Sequence, residues 1–343
     1  MKRSLYAVLA AFAIAALSIA CAGAQSSFSV TDLGQATVSG INAAGQVCGS
    51  RAGHAFLWTN GVFQDLGVPK GYTASYGTAV NNSGHVAGYA VKSSTYHAFL
   101  WRNGAATDLG ILKNGPSSNS WAYGINDSDE VVGACGSAFL WTAATGMVNL
   151  GTLGGKSGYA YGINTGGDVV GMAQTPAGQG HPFAWTPARP NGTSGTMQDL
   201  GALPGGDGHG WGRAVNDSQQ IVGFSYAVPN ALGTPAHAFL WQNATMTDLG
   251  ILPGGFNSDA YAVNGGGAVV GQADVIDPSG TSATWHAALW QPGQTTPTDL
   301  NTLIPSGLGV FLSGAVGINS SGWIAAYSGT YNGSDHAYLL RPQ

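Results

Sequence analysis

Residues 237–250 read His-Ala-Phe-Leu-Trp-Gln-Asn-Ala-Thr-Met-Thr-Asp-Leu-Gly, and this stretch decides the fold of the chain. It predicts two short β-strands with a tight turn between them, because an aromatic and aliphatic run is followed by a polar reversal and a second strand that ends in Asp-Leu-Gly. The same hairpin recurs along almost the whole chain. Since a recurring unit determines the architecture, we interpret the remaining sequence as copies of one repeat.

Four signatures follow one another in a fixed order in each repeat. The first is a strand of small residues that ends in Ile/Val-Asn, with the asparagine at Asn42, Asn81, Asn126, Asn164, Asn216, Asn264 and Asn319. A tight turn and a Val-Val-Gly-like strand follow, as at 131–133, 169–171, 221–223 and 269–271. The third is the His-Ala-Phe-Leu-Trp strand, which begins at His54, His97, Ser137, His181, His237, His286 and His336. The fourth is Asp-Leu-Gly, which begins at Asp32, Asp65, Asp108, Asn149, Asp199, Asp248 and Asp299.

The signatures are out of phase at the two ends of the chain. A lone Asp-Leu-Gly strand at 28–34 opens the repeats, and the strand at 336–340 ends them with no Asp-Leu-Gly strand after it. The first strand therefore supplies what the last repeat lacks, as a closed ring requires. Four short strands per unit of about 40–50 residues predict an all-β fold, a seven-bladed β-propeller of four-stranded antiparallel blades with the last blade closed by the N-terminal strand.

The domain organisation is a secretory signal peptide at 1–24 and a single propeller domain at 25–343. Lys2 and Arg3 precede an apolar run, and Ala22-Gly-Ala24 fits a signal peptidase site. We therefore expect a secreted or periplasmic protein cleaved near Ala24, in preference to a lipid anchor through Cys21, because Ser18 is a poor match to a lipoprotein signal. The blade cores are expected near 38–67, 76–110, 121–151, 159–201, 211–250, 260–301, and 315–341 plus 27–34.

Composition excludes several classes of partner. Only 8% of residues are charged, and the chain without its signal peptide carries 9 basic against 16 acidic residues. Nucleic-acid binding depends on clustered Lys and Arg, so no nucleic-acid partner is expected. No second long apolar stretch follows the signal, so we expect no transmembrane segment, and we expect a monomer.

Cys48 and Cys135 lie in different, non-adjacent repeats, which favours buried thiols over a disulfide.

The repeat resembles a known family. The His-Ala-Phe-Leu-Trp strand, the Asp-Leu-Gly-x-Leu-x-Gly-Gly segments at 149–155, 199–206 and 248–255, and the Gly-Ile-Asn/Val-Val-Gly hairpin look like the HAF-type bacterial extracellular repeat family. The resemblance covers nearly all of 28–340. It departs at Ser137, Ala288 and Leu340, and a very short loop precedes blade one. It implies secretion and a repeat architecture, and it implies no established catalytic activity and no catalytic residues.

The loops after Asp-Leu-Gly and after Val-Val-Gly predict a binding face. They are longer than the other turns, vary in length and share one face of the ring, which we call the upper face; such loops are where binding usually resides. At the start of the innermost strands lie side chains placed five and three residues before the repeat asparagine: Tyr76, Trp121, Tyr123, Tyr159, Tyr161, Trp211, Arg213 and Tyr261. These groups either pack between neighbouring blades or form a rim suited to sugars or peptides. The repeat-strand tryptophans Trp58, Trp101 and Trp241 are instead expected in the core.

The histidines do not predict a metal site, and no cofactor is expected. Six of the eight begin the third strand of separate blades, so they cannot converge on one ion, and a structural hydrogen bond is the expected role. The repeat aspartates are likewise expected to bond turn amides or neighbouring backbone.

Two functions from different classes remain open. The first is a non-catalytic binding or scaffold module, for carbohydrate or protein at the cell envelope. The second is a polysaccharide-active hydrolase or lyase, in which Asp207, His209, Arg213 and Asp259 would supply acid–base chemistry. The shortage of charged residues on the candidate face favours binding, because catalysis of this kind needs placed carboxylates.

Overall fold

The computed structural model describes residues 28–113, 115–206, 208–227, 233–277, 279–280, 282–329 and 336–343. The predicted signal peptide at 1–24, with Cys21 and Ala24, lies outside these residues. Among the residues described, no helix is both long and apolar enough to cross a membrane.

The strands form seven antiparallel four-stranded sheets, which are the blades of a β-propeller. Blade one contains β2 (Thr37–Ile41), β3 (Val47–Arg51), β4 (His54–Thr59) and β5 (Val62–Gly67). Blade two contains β6 (Ala74–Val80), β7 (Val86–Lys92), β8 (Thr95–Arg102) and β9 (Ala105–Gly110). Blade three contains β10 (Trp121–Ile125), β11 (Val131–Ala134), β12 (Ala138–Thr142) and β13 (Gly146–Gly151). Blade four contains β14 (Gly158–Ile163), β15 (Val169–Gln174), β16 (Gly180–Pro187) and β17 (Gly195–Asp199).

The remaining blades follow the same pattern. Blade five contains β18 (Gly210–Val215), β19 (Ile221–Tyr226), β20 (Ala236–Gln242) and β21 (Thr245–Asp248). Blade six contains β22 (Ser258–Val263), β23 (Val269–Ile276), β24 (Ala283–Trp290) and the short β25 (Thr298–Asp299), which runs into a 3-10 helix at Leu300–Thr302. Blade seven contains β26 (Gly314–Ile318), β27 (Ile324–Tyr327), β28 (His336–Pro342) and the N-terminal strand β1 (Phe28–Gln35).

The N-terminal strand closes the last blade, as the phase of the repeats predicts. Strand β1 pairs antiparallel with β28, with Phe28 opposite Pro342 and Gln35 opposite His336. Phe28 and Leu33 are 4% and 5% exposed. The pairing covers an edge that would otherwise be left with unpaired backbone groups.

The innermost strand of every blade carries a β-bulge. In β10, for example, Ala122 pairs with Gly133 and Gly124 with Val132, so Tyr123 is the extra residue. The equivalent residues are Ser39, Thr78, Tyr123, Tyr161, Arg213, Tyr261 and Val316. The close pairing beside the bulge also explains the glycine of the Val-Val-Gly signature, because a Cβ on Gly133 would clash with the carbonyl oxygen of Trp121.

The seven repeat asparagines form a closed ring on the lower face of the propeller, which is the side opposite the upper face. Each side-chain Nδ2 donates to the backbone carbonyl of the next blade's asparagine at 2.9–3.3 Å, and Asn319 completes the circle by donating to Asn42. Each Oδ1 accepts the amide four residues later at 2.8–3.1 Å, which fixes the turn within its own blade. Six of the seven side chains are buried. One residue type therefore closes each turn and joins it to the next blade.

The repeat strand supplies the packing between blades. Trp58 and Trp101 are 3% and 4% exposed, which confirms their place in the core, whereas Trp241 is only half-buried and packs at the margin of its cluster. Cys48 and Cys135 are buried free thiols, as expected, and burial raises the pKa of Cys48 to about 12.

The terminal pairing predicts the effect of a truncation. Deletion of residues 25–34 removes Phe28 and Leu33 and leaves the edge of β28 unpaired. We expect a lower melting temperature and aggregation, because an exposed flat strand edge pairs with other chains. Thermal melts with light scattering check this. A truncated protein that stays monomeric with an unchanged melting temperature would show that closure does not depend on β1.

The asparagine ring predicts a large cost for one side chain. Asn319→Ala removes the bond to Asn42 and leaves the amides of Ser321 and Trp323 without their acceptor. We expect the free energy of unfolding to fall by about 3 kcal/mol, since each buried group left unpaired costs roughly 1–3 kcal/mol. Urea denaturation measures the change, with Gln198→Ala on the exposed face of β17 as the control. Equal effects of the two changes would contradict a special role for the ring.

Candidate functional site

The seven bulged residues meet around one cavity. It has a volume of about 340 Å³ and lies at the upper mouth of the central channel, lined by all seven of them together with Thr37, Ser50, Tyr76, Gly77 and Tyr89. Because each bulge adds a residue to an innermost strand, every blade contributes one side chain to the same ring. The cavity volume lies at the lower end of the range for small-ligand sites.

The circle formed by the seven bulged residues has two unlike halves. Blades three to six contribute the large groups Tyr123, Tyr161, Arg213 and Tyr261, whereas blades seven, one and two contribute Val316, Ser39 and Thr78. The hydroxyls of Thr37 and Ser50 lie on the small side as well. At the bulge positions, a backbone of near seven-fold regularity thus places large side chains on one side and small, mostly hydroxyl-bearing ones on the other, and blade two adds the stacked rings of Tyr76 and Tyr89 to the small side.

In the half with the large side chains, aromatic rings from neighbouring blades pack against one another. Tyr161 lies 5.2 Å from Tyr123 and is stacked on Trp211 at 5.7 Å and on Tyr159 at 6.3 Å between ring centroids. Burial raises the pKa of Tyr161 to about 12, so its phenol stays protonated and able to donate at neutral pH. The prediction that these rings pack between neighbouring blades is confirmed, and the same rings also line the cavity. The two alternatives for them are therefore compatible.

Arg213 is held in place by Asp259 of the next blade. Nη2 donates to Oδ2 at 2.6 Å and Nε donates to Oδ1 at 3.3 Å, a two-point contact with a carboxylate that is 9% exposed. Burial raises the pKa of Asp259, although the positive charge of Arg213 lowers it in part. Burial lowers the pKa of Arg213, but the contact with Asp259 outweighs this effect, so the pKa of Arg213 is raised. The guanidinium carbon also lies 5.0–5.2 Å from the ring centroids of Tyr261 and Trp211. The pair contributes donors to the site with almost no net charge.

The structure brings together five of the eight residues predicted for the rim. Tyr76, Tyr123, Tyr161, Arg213 and Tyr261 line the cavity. Tyr159 and Trp211 stack on the lining residue Tyr161. Trp121 lies 5.3 Å from Tyr96, whose ring lies 6.2 Å from that of the lining residue Tyr89.

Sequence reasoning missed most of the residues that blades one and two contribute to the cavity. Ser39 and Thr78 stand three residues before a repeat asparagine, and Thr37 stands five before one, so the spacing that selected the aromatic residues also fits them. Ser50 and Tyr89 come from the second strand, opposite Thr37 and Tyr76. Only strand pairing identifies these two.

The structure describes three of the four residues of the catalytic alternative, His209, Arg213 and Asp259. Asp207 lies outside the described residues. The ring of His209 lies 6.0 Å from that of Tyr226, and Asp259 is bound to Arg213. Among the described residues that line the cavity there is no carboxylate.

The repeat histidines pair with the repeat aspartates of the same blade. Six Nδ1 atoms lie 2.7–2.9 Å from an aspartate oxygen, and His336 reaches across the chain ends to Asp32. The aspartates also accept a backbone amide two residues later, such as Gly67 for Asp65. Both expected structural roles are confirmed. In the described part of the chain, no group of three or more potential ligands is placed to hold a metal ion.

Comparison with known proteins finds distant likenesses among solved structures. The chain matches no family model and none of the curated proteins. Among solved structures it is similar to a gluconolactonase from Xanthomonas campestris (11% identity over 92% of this chain and 90% of that one, TM-score 0.42). It is also similar to the β-propeller domain of the Trilobed protease from Pyrococcus furiosus (9%, 90% and 97%, TM-score 0.45) and to a chain of a mitotic checkpoint complex (10%, 99% and 99%, TM-score 0.48). Likenesses this distant carry no functional argument.

The histidine–aspartate pairs predict acid sensitivity. The hydrogen bond from His54 holds the pKa of Asp65 below its ordinary value, and the bonds from His237 and Gly250 do so for Asp248 despite its burial. A carboxyl with a depressed native pKa adds stability above its unfolded value, about 3.9, and loses it as the pH falls through the native value. We therefore expect the free energy of unfolding to drop below about pH 4.

The matched variant for this effect is Asp248→Asn. Blade three already carries Asn149 at this position, and Asn149 still accepts the amide of Gly151. Urea denaturation from pH 7 to pH 3 should give a flatter profile for the variant than for the unmodified chain, because one depressed carboxyl has been removed. Parallel profiles would contradict the assignment.

Proposed function

We propose that this protein is a secreted, non-catalytic binding module of the cell envelope, and that the upper mouth of its channel binds a carbohydrate unit. The observation that carries the proposal is the mixed lining of the cavity: Tyr123, Tyr161 and Tyr261 lie on one side, and the other side combines the hydroxyl-bearing Ser39 and Thr78 with the rings of Tyr76 and Tyr89. The assignment to the HAF-type repeat family and cleavage near Ala24 belong to the same proposal. They rest on the sequence alone.

Carbohydrate chemistry suits the two halves of the cavity. A sugar ring presents an apolar face, which stacks on an aromatic side chain, and an edge of hydroxyls, which needs donors and acceptors. Tyrosine supplies both an apolar face and a polar tip. Arg213 has five N–H donors, of which Asp259 accepts two, so donors remain for a ligand. The near-zero net charge of the Arg213–Asp259 pair favours a neutral ligand over an ionic one.

The arrangement of the charged groups supports binding over hydrolysis. A glycosidase needs two carboxyl groups on either side of the scissile bond. Asp259 is engaged by Arg213 and does not line the cavity. A carboxylate neutralised in this way is a poor general base, and its removal would leave the Arg213 guanidinium without its charge partner.

The experiment is a glycan and envelope-polymer binding screen of residues 25–343 with product analysis, followed by two variants. Tyr123→Ser removes one ring, and blade one shows that the bulge accepts a serine because Ser39 stands there. We expect binding to weaken about tenfold, or roughly 1.4 kcal/mol, since central aromatic residues dominate such sites. The matched control, Thr78→Ser, keeps a hydroxyl on the opposite side and should leave affinity unchanged.

Three outcomes would contradict the proposal. Cleaved products in the screen would favour the hydrolase or lyase alternative. Equal affinities of the two variants would place the ligand elsewhere on the surface. The absence of any bound glycan or polymer would remove the carbohydrate assignment itself.

A further inference from the structure

Two blades carry a pair of aromatic residues on facing strands beside the channel mouth. Each pair consists of the residue five positions before the repeat asparagine and its partner on the second strand, and side chains paired in this way contact each other. In blade two the pair is Tyr76 and Tyr89, whose ring centroids lie 5.0 Å apart. In blade five it is Trp211 and Phe224, at 5.4 Å. All four residues are half-buried, so each keeps some exposed surface.

In the described strands of the other five blades, the same position never holds two rings. The facing residues there are Thr37 and Ser50, Trp121 and Ala134, Tyr159 and Met172, Asp259 and Gln272, and Gly314 and Tyr327. Blades two and five are three places apart in a ring of seven, so their pairs lie nearly opposite each other across the channel mouth. The two pairs therefore define one line across the upper face.

A further ring extends each pair away from its first member. In blade two, Tyr96 near the start of the third strand lies 6.2 Å from Tyr89. In blade five, Tyr226 at the end of the second strand lies 6.1 Å from Phe224. Both added residues are half-buried and lie at the ends of their strands that face the upper loops. We call these sets the blade-two row, Tyr76, Tyr89 and Tyr96, and the blade-five row, Trp211, Phe224 and Tyr226.

Both rows adjoin the channel-mouth cavity. Tyr76 and Tyr89 line it directly. The blade-five row is joined to it through Arg213, a lining residue whose guanidinium carbon lies 5.2 Å from the ring centroid of Trp211 and 5.6 Å from that of Phe224. A ligand that crosses the mouth from one row to the other would contact aromatic side chains before, within and beyond the cavity.

We propose that the channel mouth binds an internal segment of an extended, neutral, β-linked polysaccharide of the cellulose or xylan type, which lies across the upper face from the blade-two row to the blade-five row. The proposal rests on the carbohydrate assignment made above and specifies it. Equatorial linkages keep such a chain straight, so it matches two rows that face each other across the mouth, whereas the α-linked chain of amylose curls. Its sugar rings present apolar faces, against which half-buried aromatic side chains pack.

The first test measures how affinity depends on the length and shape of the saccharide. Cellobiose, cellohexaose, xylobiose, xylohexaose and the curled maltohexaose are titrated separately into residues 25–343 by calorimetry. We expect one of the β-linked hexasaccharides to bind about tenfold more tightly than its own disaccharide, because the longer chain reaches both rows. Maltohexaose should bind no more tightly than a disaccharide.

Two variants outside the cavity test the rows themselves. Tyr96→Ala and Tyr226→Val remove the outer rings, and the chain already contains both replacements. Ala236 is the blade-five equivalent of Tyr96, and Val91 is the blade-two equivalent of Tyr226. Each change should weaken binding of the hexasaccharide about fivefold and leave binding of the disaccharide unchanged, because a short chain fits within the mouth.

Trp285→Ala is the matched control. Trp285 stands opposite Asp274, which is the blade-six position equivalent to Tyr96, and it is 36% exposed. Blade six has Asp259 and Gln272 in place of an inner aromatic pair, so it has no row leading to the mouth. The control should leave the affinity for the hexasaccharide unchanged.

Several results would overturn the inference, and they separate it from the proposed function. Equal affinities for disaccharide and hexasaccharide, or row variants without effect, would show that sugar binds at the mouth alone and leave the proposed function standing. Equal effects of Trp285→Ala and the row variants, or tight binding of maltohexaose, would also contradict an extended chain on this line. Binding of a proline decamer in place of the hexasaccharides would assign the rows to a polypeptide. Binding of none of these saccharides would contradict this inference and count against the carbohydrate assignment as well.

Discussion

The asparagine ring is the interaction on which the propeller depends. A single amide side chain accepts the amides of its own turn and donates to the carbonyl of the next turn, as Asn126 does between Glu130 and Asn164. Seven such links form a circle only if every innermost strand ends at the same height. The ring thus fixes the vertical register of neighbouring blades and joins the last blade to the first, with buried hydrogen bonds whose loss is costly.

That register determines where the bulges lie. In each blade the extra residue stands three positions before the ring asparagine. Because the asparagines form a circle near the lower face, the bulge side chains form a second circle nearer the upper face. The bulge residue lies outside the pairing of its own blade, which leaves its identity open. The fold therefore supplies seven equivalent positions around one cavity without specifying what occupies them.

The sequence predicts the architecture almost completely, and the site only in part. The repeat order and the out-of-phase termini are sufficient for seven blades closed by β1, because each signature maps to one strand. They do not reveal that Asn319 bonds to Asn42 or that Arg213 bonds to Asp259, since those contacts join residues 277 and 46 positions apart. The motif places Trp241 in the core, and the structure shows it half-buried against a core cluster, because a repeat motif does not show how well the neighbouring blade covers it.

Some departures from the repeat come in matched pairs. Ser75 accepts the amide of Ala55 and donates to Gly67, but in blade four Pro182 has no amide to offer, and Gly210 replaces the serine of the next blade. Ser137 and Asn149 likewise replace a histidine and an aspartate together. The bulge positions vary most, because serine, threonine, tyrosine, arginine and valine all occur there, and the arginine is again matched by a partner in the next blade, Asp259. Because this position recurs seven times around one cavity, substitutions there change the lining of the cavity without changing the blades that form it.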